Sequence, residues 1–175
     1  MNRDILEVLK KRRSIRTFQE MKVSPDTIER ILKAGLLYPS SMNRKPLEFV
    51  VVEEKETLRQ LMGCKRSGTV GLGSAPLAIV VLADAKKSDV WVEDGSISAI
   101  LMQLEAEALG LGSVWIQIRN RTGKEKESQE LVREVLGVPE HYGILCILAI
   151  GYKGEDKNPY KEDEIDFNPV HKERF

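Results

Sequence analysis

Apolar residues recur at helical spacing at Ile5, Val8 and Leu9, behind an Asp4 able to cap, so the chain is expected to open with an amphipathic helix running into its arginines. Ser24-Pro25 supplies an N-cap followed by proline at the first helical position, and Ile28, Ile31 and Leu32 give the helix after it one apolar face. Residues 38–46 hold two prolines and many turn formers, which predicts a loop, and residues 47–52 predict a strand. Leu58 and Leu61 mark a short helix, residues 63–74 a glycine-rich loop, and residues 77–82 a strand apolar on both faces. Over residues 91–109 the period is helical again, with Ile97, Ile100, Leu101, Leu104 and Ala108 on one stripe and Gly110 placed as a C-cap. A strand over 113–118, a helix over 125–136 closed by Gly137, and a fully buried strand over 144–150 complete the pattern before a polar tail begins at Lys153.

Strands that are apolar on both faces need cover on both faces, so helices on either side of a sheet are expected, in a three-layer α/β or α+β arrangement. A chain of 175 residues with 42% hydrophobic content is expected to form one domain, 1–175, with 153–175 as an extended arm. Lys plus Arg and Asp plus Glu both number 27, so no whole-chain field draws the protein to nucleic acid or to an anionic membrane, and any basic site must be local. Cys64 and Cys146 stand far apart and outside any CxxC pattern, which argues against a disulfide framework or a zinc site and fits a reducing, cytoplasmic setting. Residues 1–4 lack a basic stretch followed by a long apolar core, so no export signal is expected, and no apolar run is long enough to span a bilayer.

Arg12-Arg13-Ser14-Ile15-Arg16 concentrates three permanent cations and a hydroxyl, which suits the acceptor oxygens of a phosphate; a solvated basic helix end explains the same residues equally well. If the first helix ends near Arg13, its carbonyl end repels an anion, so the side chains must supply the attraction. Gly68, Gly71 and Gly73 do not make a dinucleotide fingerprint, because Pro76 stands where the last glycine is needed and a strand follows. The glycine loop reads as a surface connection or a flexible cover, with Lys65 and Arg66 available to an anionic ligand. His141 and His171 have no metal or triad partner at useful spacing, so hydrolysis is not indicated. Cys146 reads as a core residue and Cys64 as an incidental thiol, while Glu93 and Asp94 open a helix, where acids favour the dipole.

The basic run, the loop Tyr38-Pro39-Ser40-Ser41-Met42-Asn43-Arg44-Lys45-Pro46, Ser74-Ala75-Pro76 before a buried strand, and Ala108-Leu109-Gly110-Leu111-Gly112-Ser113-Val114-Trp115-Ile116, taken in this order, resemble the nitroreductase family of FMN-dependent oxidoreductases over residues 4–152. The resemblance implies an α+β sandwich around a mixed, mainly antiparallel sheet, built as an intertwined homodimer with FMN at the interface. It implies that Arg12, assisted by Arg13, binds the phosphate, that Ser14 bonds phosphate or ribityl oxygens, and that Arg16 lies toward the ribityl chain and pyrimidine edge. Pro39, Ser40, Ser41, Met42 and Asn43 would come from the neighbouring subunit, the backbone of Trp115, Ile116 and Gln117 would face the ring, and Lys172 or Arg174 would add a phosphate contact. Small residues at Gly95, Ser96, Ser98 and Ala99 would let the central helix approach its mate.

The activity implied is a ping-pong transfer from NADH or NADPH through flavin to a nitroaromatic, quinone or similar acceptor, with the chemistry carried by the flavin rather than by a protein acid or base. Lys45 stands where many members have glutamine, Leu47 where an aromatic residue is common, and Gln117 where glycine or an acid often occurs. A flavin-binding protein without turnover, a reductive dehalogenase and a flavin-fragmenting relative are the alternatives these departures leave open. The chain also lacks the helical excursion that partly covers the flavin in longer relatives, which implies an open pocket.

Overall fold

The computed structural model describes residues 4–175. Its helices begin where capping chemistry places them. Asp4 Oδ1 accepts the Leu6 amide at 3.0 Å ahead of α1 (Ile5–Lys11), and Ser24 Oγ accepts the Thr27 amide at 3.3 Å ahead of α2 (Pro25–Leu36). Each side chain satisfies one of the amides that a helix start leaves without a partner. After α3 (Lys55–Gly63) the glycine-rich stretch tightens into a 3-10 turn, Val70–Gly73. Gly110, at φ 82°, follows the end of α4 (Trp91–Ala108), and Gly137, at φ 66°, closes α5 (Ser128–Leu136), both in the left-handed region open to glycine. Among the described residues no helix is long and apolar enough to cross a membrane.

The strands β1 (Leu47–Val52), β2 (Leu77–Asp84), β3 (Leu111–Gln117) and β4 (Tyr142–Tyr152) form one sheet in the order β1-β2-β4-β3, every pair antiparallel. Among the described residues the parallel component expected of a mixed sheet is a single bridge between Ser14 and Ser113, on the open edge of β3. On one face Ala78, Val80, Leu82, Ile144, Ile147 and Ala149 pack with Leu58 and Leu61 of α3 and Val132 of α5. On the other, Leu77, Ile79, Val81, Leu148 and Ile150 meet Ile28 and Ile31 of α2 and Ala99, Met102 and Ala106 of α4. The expected three-layer α+β sandwich results. A register shift between Val81 and Leu82 turns both Leu145 and Cys146 toward α2 and α4. Cys146 is therefore a core residue. Cys64 is buried too, and burial, followed by the nearby Glu134 charge, pushes its thiol up to about 11, which keeps it from acting as a thiolate.

The central helix departs from its apparent pattern. An apolar stripe ordinarily marks the face turned to the core, yet Ile97 and Ile100 of the aliphatic stripe are 38% and 37% exposed, and the buried face of α4 consists of Asp94, Gly95, Ser98, Ala99, Met102, Gln103 and Ala106. The small residues are consumed inside the fold, because a Cβ on Gly95 would stand 2.7 Å from Leu145 Cδ2, and Ser98 Oγ donates to Gly35 O at 2.8 Å. Ser96 Oγ bonds its own helix, on Val92 O. Gly95, Ser98 and Ala99 thus admit the sheet and α2, and the larger aliphatics are the ones turned outward.

Gly112 joins the sheet to the basic run. A Cβ there would lie 2.8 Å from Cβ and Cγ1 of Ile15. Ile15 is 1% exposed and β-branched, so it has no room to swing aside. Gly112→Ala is expected to destabilise the fold by about 1–3 kcal/mol in denaturant unfolding and to displace the segment that carries Arg12 and Arg16.

Candidate functional site

Helix α1 stops at Lys11, slightly earlier than the arginines suggest, and Arg12 takes the C-cap position with its amide on Val8 O at 2.9 Å. The carbonyl end of the helix therefore meets the basic run, and attraction for an anion has to come from side chains, as expected. Beyond Arg12 the chain is extended along the edge of β3, with the Ile15 amide donating to Ser113 O at 3.0 Å. Alternate residues of an extended segment share a side, which groups Arg12, Ser14 and Arg16 opposite the buried Ile15. Arg16 Nη1 reaches only Ser14 O, at 3.3 Å. Among the described residues the Arg12 guanidinium and the Ser14 hydroxyl have no hydrogen-bonding partner, so two cations and a hydroxyl stand together with donors to spare. That set fits a phosphate.

The start of the tail lies against the same segment. Arg13 Nη1 donates to Asn158 O and its guanidinium stacks on the Tyr160 ring at 4.5 Å, so this arginine faces the arm and not the Arg12 side. Lys157 Nζ donates to Ser14 O at 2.7 Å, and Glu155 Oε1 accepts the amides of Arg16 and Thr17. Tyr160 N bonds Lys10 O at 3.0 Å. Farther on, Phe167 and Val170 are exposed, and no hydrogen bond or ion pair among the described residues joins Lys172 or Arg174 to the basic run.

The bond from the Arg16 amide, and then Lys157 and the Thr17 amide, hold the Glu155 carboxyl below its ordinary value of 4.5. A group whose folded value is depressed stabilises above the unfolded value and loses that contribution as the pH falls through the folded one. Acidification below about 4.5 is expected to loosen the arm from Arg16 and Thr17. Limited proteolysis of the tail against pH should show this, and Glu155→Gln should flatten the dependence.

The serine loop is built separately, at the start of α4. Met42 (φ 50°), Asn43 (φ 56°) and Lys45 (φ 48°) all adopt left-handed backbone, which costs energy for residues bearing a Cβ and has to be held in place by the surroundings. What holds it is Asp94, only 3% exposed, whose Oδ1 accepts the Ser41 amide at 3.2 Å and whose Oδ2 faces Ser88 Oγ at 3.5 Å. Ser40 Oγ accepts the Lys45 amide at 3.1 Å, and Lys45 Nζ lies on Tyr38 O at 2.5 Å and over the Tyr38 ring. Tyr38 OH in turn accepts the Leu47 amide at 3.3 Å. Lys45 is thus a latch of the loop rather than a free cation. Sequence reasoning assigned Asp94 to the helix dipole and missed this role; the available signal was an acid directly before the small Gly95 in the first turn of α4.

Along β3, Ile116 is buried and, opposite Ile147, turns its main-chain groups to β4, while Trp115 Nε1 donates to Gln117 Oε1 at 2.9 Å and Gln117 Nε2 to Arg119 O at 2.9 Å. Because Ser113 O points outward to Ile15, strand alternation also turns the main-chain groups of Trp115 and Gln117 to the open edge. The two halves of the predicted site do not meet within one chain. The loop is fixed at Asp94, whereas Ser113 and its neighbour Ser14 sit by Gln103, whose Nε2 donates to Ser113 Oγ at 3.0 Å. These anchors are nine residues apart on α4, about 13 Å along the axis at ~1.5 Å per residue.

A chain with this sheet and these helices has counterparts among known proteins. The profile of the nitroreductase family matches residues 9–70 and 64–152 in two overlapping segments. The chain belongs to the nitroreductase family. A protein of Archaeoglobus fulgidus named as an NADH dehydrogenase/NAD(P)H nitroreductase is 36% identical, with 98% of this chain and 99% of the relative aligned. A protein of the same name from Methanothermobacter thermautotrophicus is 33% identical over 98% of this chain and 88% of its own. Among solved structures, an FMN-dependent nitroreductase from Clostridium difficile superposes with a TM-score of 0.94 at 46% identity, covering 97% of this chain and 99% of its own. Membership makes this nitroreductase-family chain an oxidoreductase.

Proposed function

We propose that the chain is an FMN-dependent enzyme that passes electrons from NADH or NADPH to a nitroaromatic, quinone or similar electron-poor acceptor in a ping-pong cycle. The observation that carries this reading is the set Arg12, Ser14 and Arg16 on the open edge of β3, which has donors to spare among the described residues, in a chain of this family. Flavin, when bound, would supply the electron carrier between nicotinamide and acceptor. Arg12 and Ser14 hold the phosphate and ribityl oxygens, while Arg16 and the outward amides of Trp115 and Gln117 place positive charge beside the ring edge that becomes electron-rich. Ile116, paired with Ile147 of β4, backs this edge from within the sheet. Arg13 supports the run by fixing the arm, and solvent delivers the protons, so no side-chain acid is required.

The reading includes a homodimer in which Pro39, Ser40, Ser41, Met42 and Asn43 of one copy complete the site of the other. The separation of the two halves supports it, as do the outward Ile97 and Ile100 of α4 and the exposed Ile5, Leu6 and Leu9 of α1. In this arrangement residues 1–175 are one domain, and the arm carries Phe167, Val170, Lys172 and Arg174 across to the second copy, where the cations add a phosphate contact. The test is a visible spectrum of natively purified protein with light scattering for its mass. A yellow dimer bleached anaerobically by NADH or NADPH is expected. Colourless protein that takes up no FMN on titration, or flavin that neither nicotinamide bleaches, overturns the reading.

A further inference from the structure

A second cationic feature lies away from the basic run. Between the end of α3 and the connection from β3 to α5 is a hollow of about 620 Å3 lined by Met62, Gly63, Lys65, Arg66, Thr69, Val70 and Lys124, with three cations and no carboxylate. Its walls are fixed by backbone contacts. The Arg66 amide donates to Thr122 O at 3.3 Å and Arg66 Nε to Gly123 O at 2.8 Å, which presets the guanidinium and leaves its terminal nitrogens free. Gly123 is closely packed behind Arg66, since a Cβ there would stand 2.2 Å from Leu131 Cδ1 and 3.3 Å from Lys126 O. Lys65 and Lys124 form no ion pair among the described residues, whereas the neighbouring Lys126 pairs with Glu134. Burial, and then the Arg121 charge, hold the Lys65 ammonium below its ordinary value, an electrostatic stress that a bound anion would relieve.

The shape selects among anions. Exposed Val70 and the Met62 side chain give the hollow an apolar wall beside its cations, a combination suited to a flat base carrying a phosphate rather than to a bare inorganic ion. Its place in the fold selects further. Strand β3 runs from Ser113, beside Ser14, to Gln117, about 13 Å away at ~3.3 Å per residue, and the chain then turns directly into Arg121 and Lys124. The hollow thus lies past the end of β3 opposite the phosphate-binding run. Gly71, next to Val70, packs close to that strand, since a Cβ there would stand 2.8 Å from Val114 Cγ1 and 3.7 Å from Phe18 Cε2.

We propose that this hollow receives the phosphorylated adenosine end of the nicotinamide donor, with Lys65, Arg66 and Lys124 contacting the 2′-phosphate that distinguishes NADPH from NADH. The inference rests on the flavin reading above, since a donor is needed only if flavin is reduced. Arg66 also braces the wall, so the variant of choice is the double substitution Lys65→Gln and Lys124→Gln, which removes charge without touching the backbone bonds.

With flavin-loaded protein, kcat/KM for NADPH should fall at least tenfold in the double variant and that for NADH by much less. Flavin content, and the rate at which dithionite-reduced protein is reoxidised by an acceptor, should stay unchanged. Adenosine 2′,5′-bisphosphate should compete with NADPH in the parent and lose affinity in the variant. Inhibition that is not competitive would mean that the hollow takes a free nucleotide, and the donor assignment falls. Yellow protein with unchanged donor selectivity overturns this inference alone; protein that holds no flavin overturns the reading beneath it as well.

Discussion

Arg12→Ala is expected to weaken FMN binding by about 10- to 100-fold, the loss that follows from removing charge-assisted hydrogen bonds of about 1.5–3 kcal/mol. The reason is local. Arg12 caps α1 and has no partner among the described residues, so its five donors are unspent, and truncating it leaves the Gly112 to Ile15 packing intact. A stability change therefore cannot masquerade as an affinity change. Arg12→Lys keeps the charge and loses the planar fork, and should fall between parent and alanine variant. Arg16→Ala should in addition lower the reduction potential of the flavin, because a cation beside the electron-rich edge favours the reduced state. Fluorescence titration of FMN and a spectroelectrochemical midpoint check the pair. Unchanged affinity in both variants would return the run to a solvated helix end.

Much of this fold was legible in the chain because the signals were local. Ser24-Pro25 starts α2, Gly110 and Gly137 follow α4 and α5 in left-handed conformation, and the runs at 77–82 and 144–150 lie within the two central strands, covered on both faces. The faces of α4 were not legible, because aliphatic, small and polar residues are spread around that helix and its aliphatic stripe does not mark the side that meets the sheet. Close approach decided it: Leu145, turned inward by the register shift in β4, leaves room only for glycine at position 95.

The site divided in the same way. The basic run and the serine loop were visible as compositions, and the alternation that groups Arg12 with Ser14 and Arg16 follows from an extended chain. The grip of Glu155, Lys157 and Asn158 on that segment was not visible, since it joins residues more than 130 positions apart through backbone atoms that carry no side-chain signature. For the same reason Arg13, equivalent to its neighbours by composition, is set apart from them by a contact with Tyr160.

Asp94 tests the other half of the site. Its carboxylate is buried with the Ser41 amide and Ser88 hydroxyl facing it, and no salt bridge compensates the charge among the described residues. Two effects oppose each other when it becomes alanine. Relief of a buried charge favours the variant, while the Ser41 amide loses its acceptor and the left-handed Met42, Asn43 and Lys45 lose their brace. The second should win, because a partly buried donor left unsatisfied costs about 1–3 kcal/mol and the backbone strain is then released by rearrangement of the loop. Asp94→Ala is expected to lower stability by that amount and to cost FMN affinity about as much as Arg12→Ala, although Asp94 touches no part of the proposed ligand. Asp94→Asn keeps an oxygen for Ser41 and should recover most of both losses. The decisive comparison mixes subunits. A heterodimer of Asp94→Ala with Arg12→Ala should retain one intact site if the loop of one copy completes the pocket of the other in the arrangement proposed: one of its two sites then carries both lesions and its second site neither. Half the flavin bound at parental affinity is the expected outcome; two equally weakened sites would place both elements in the same subunit's pocket.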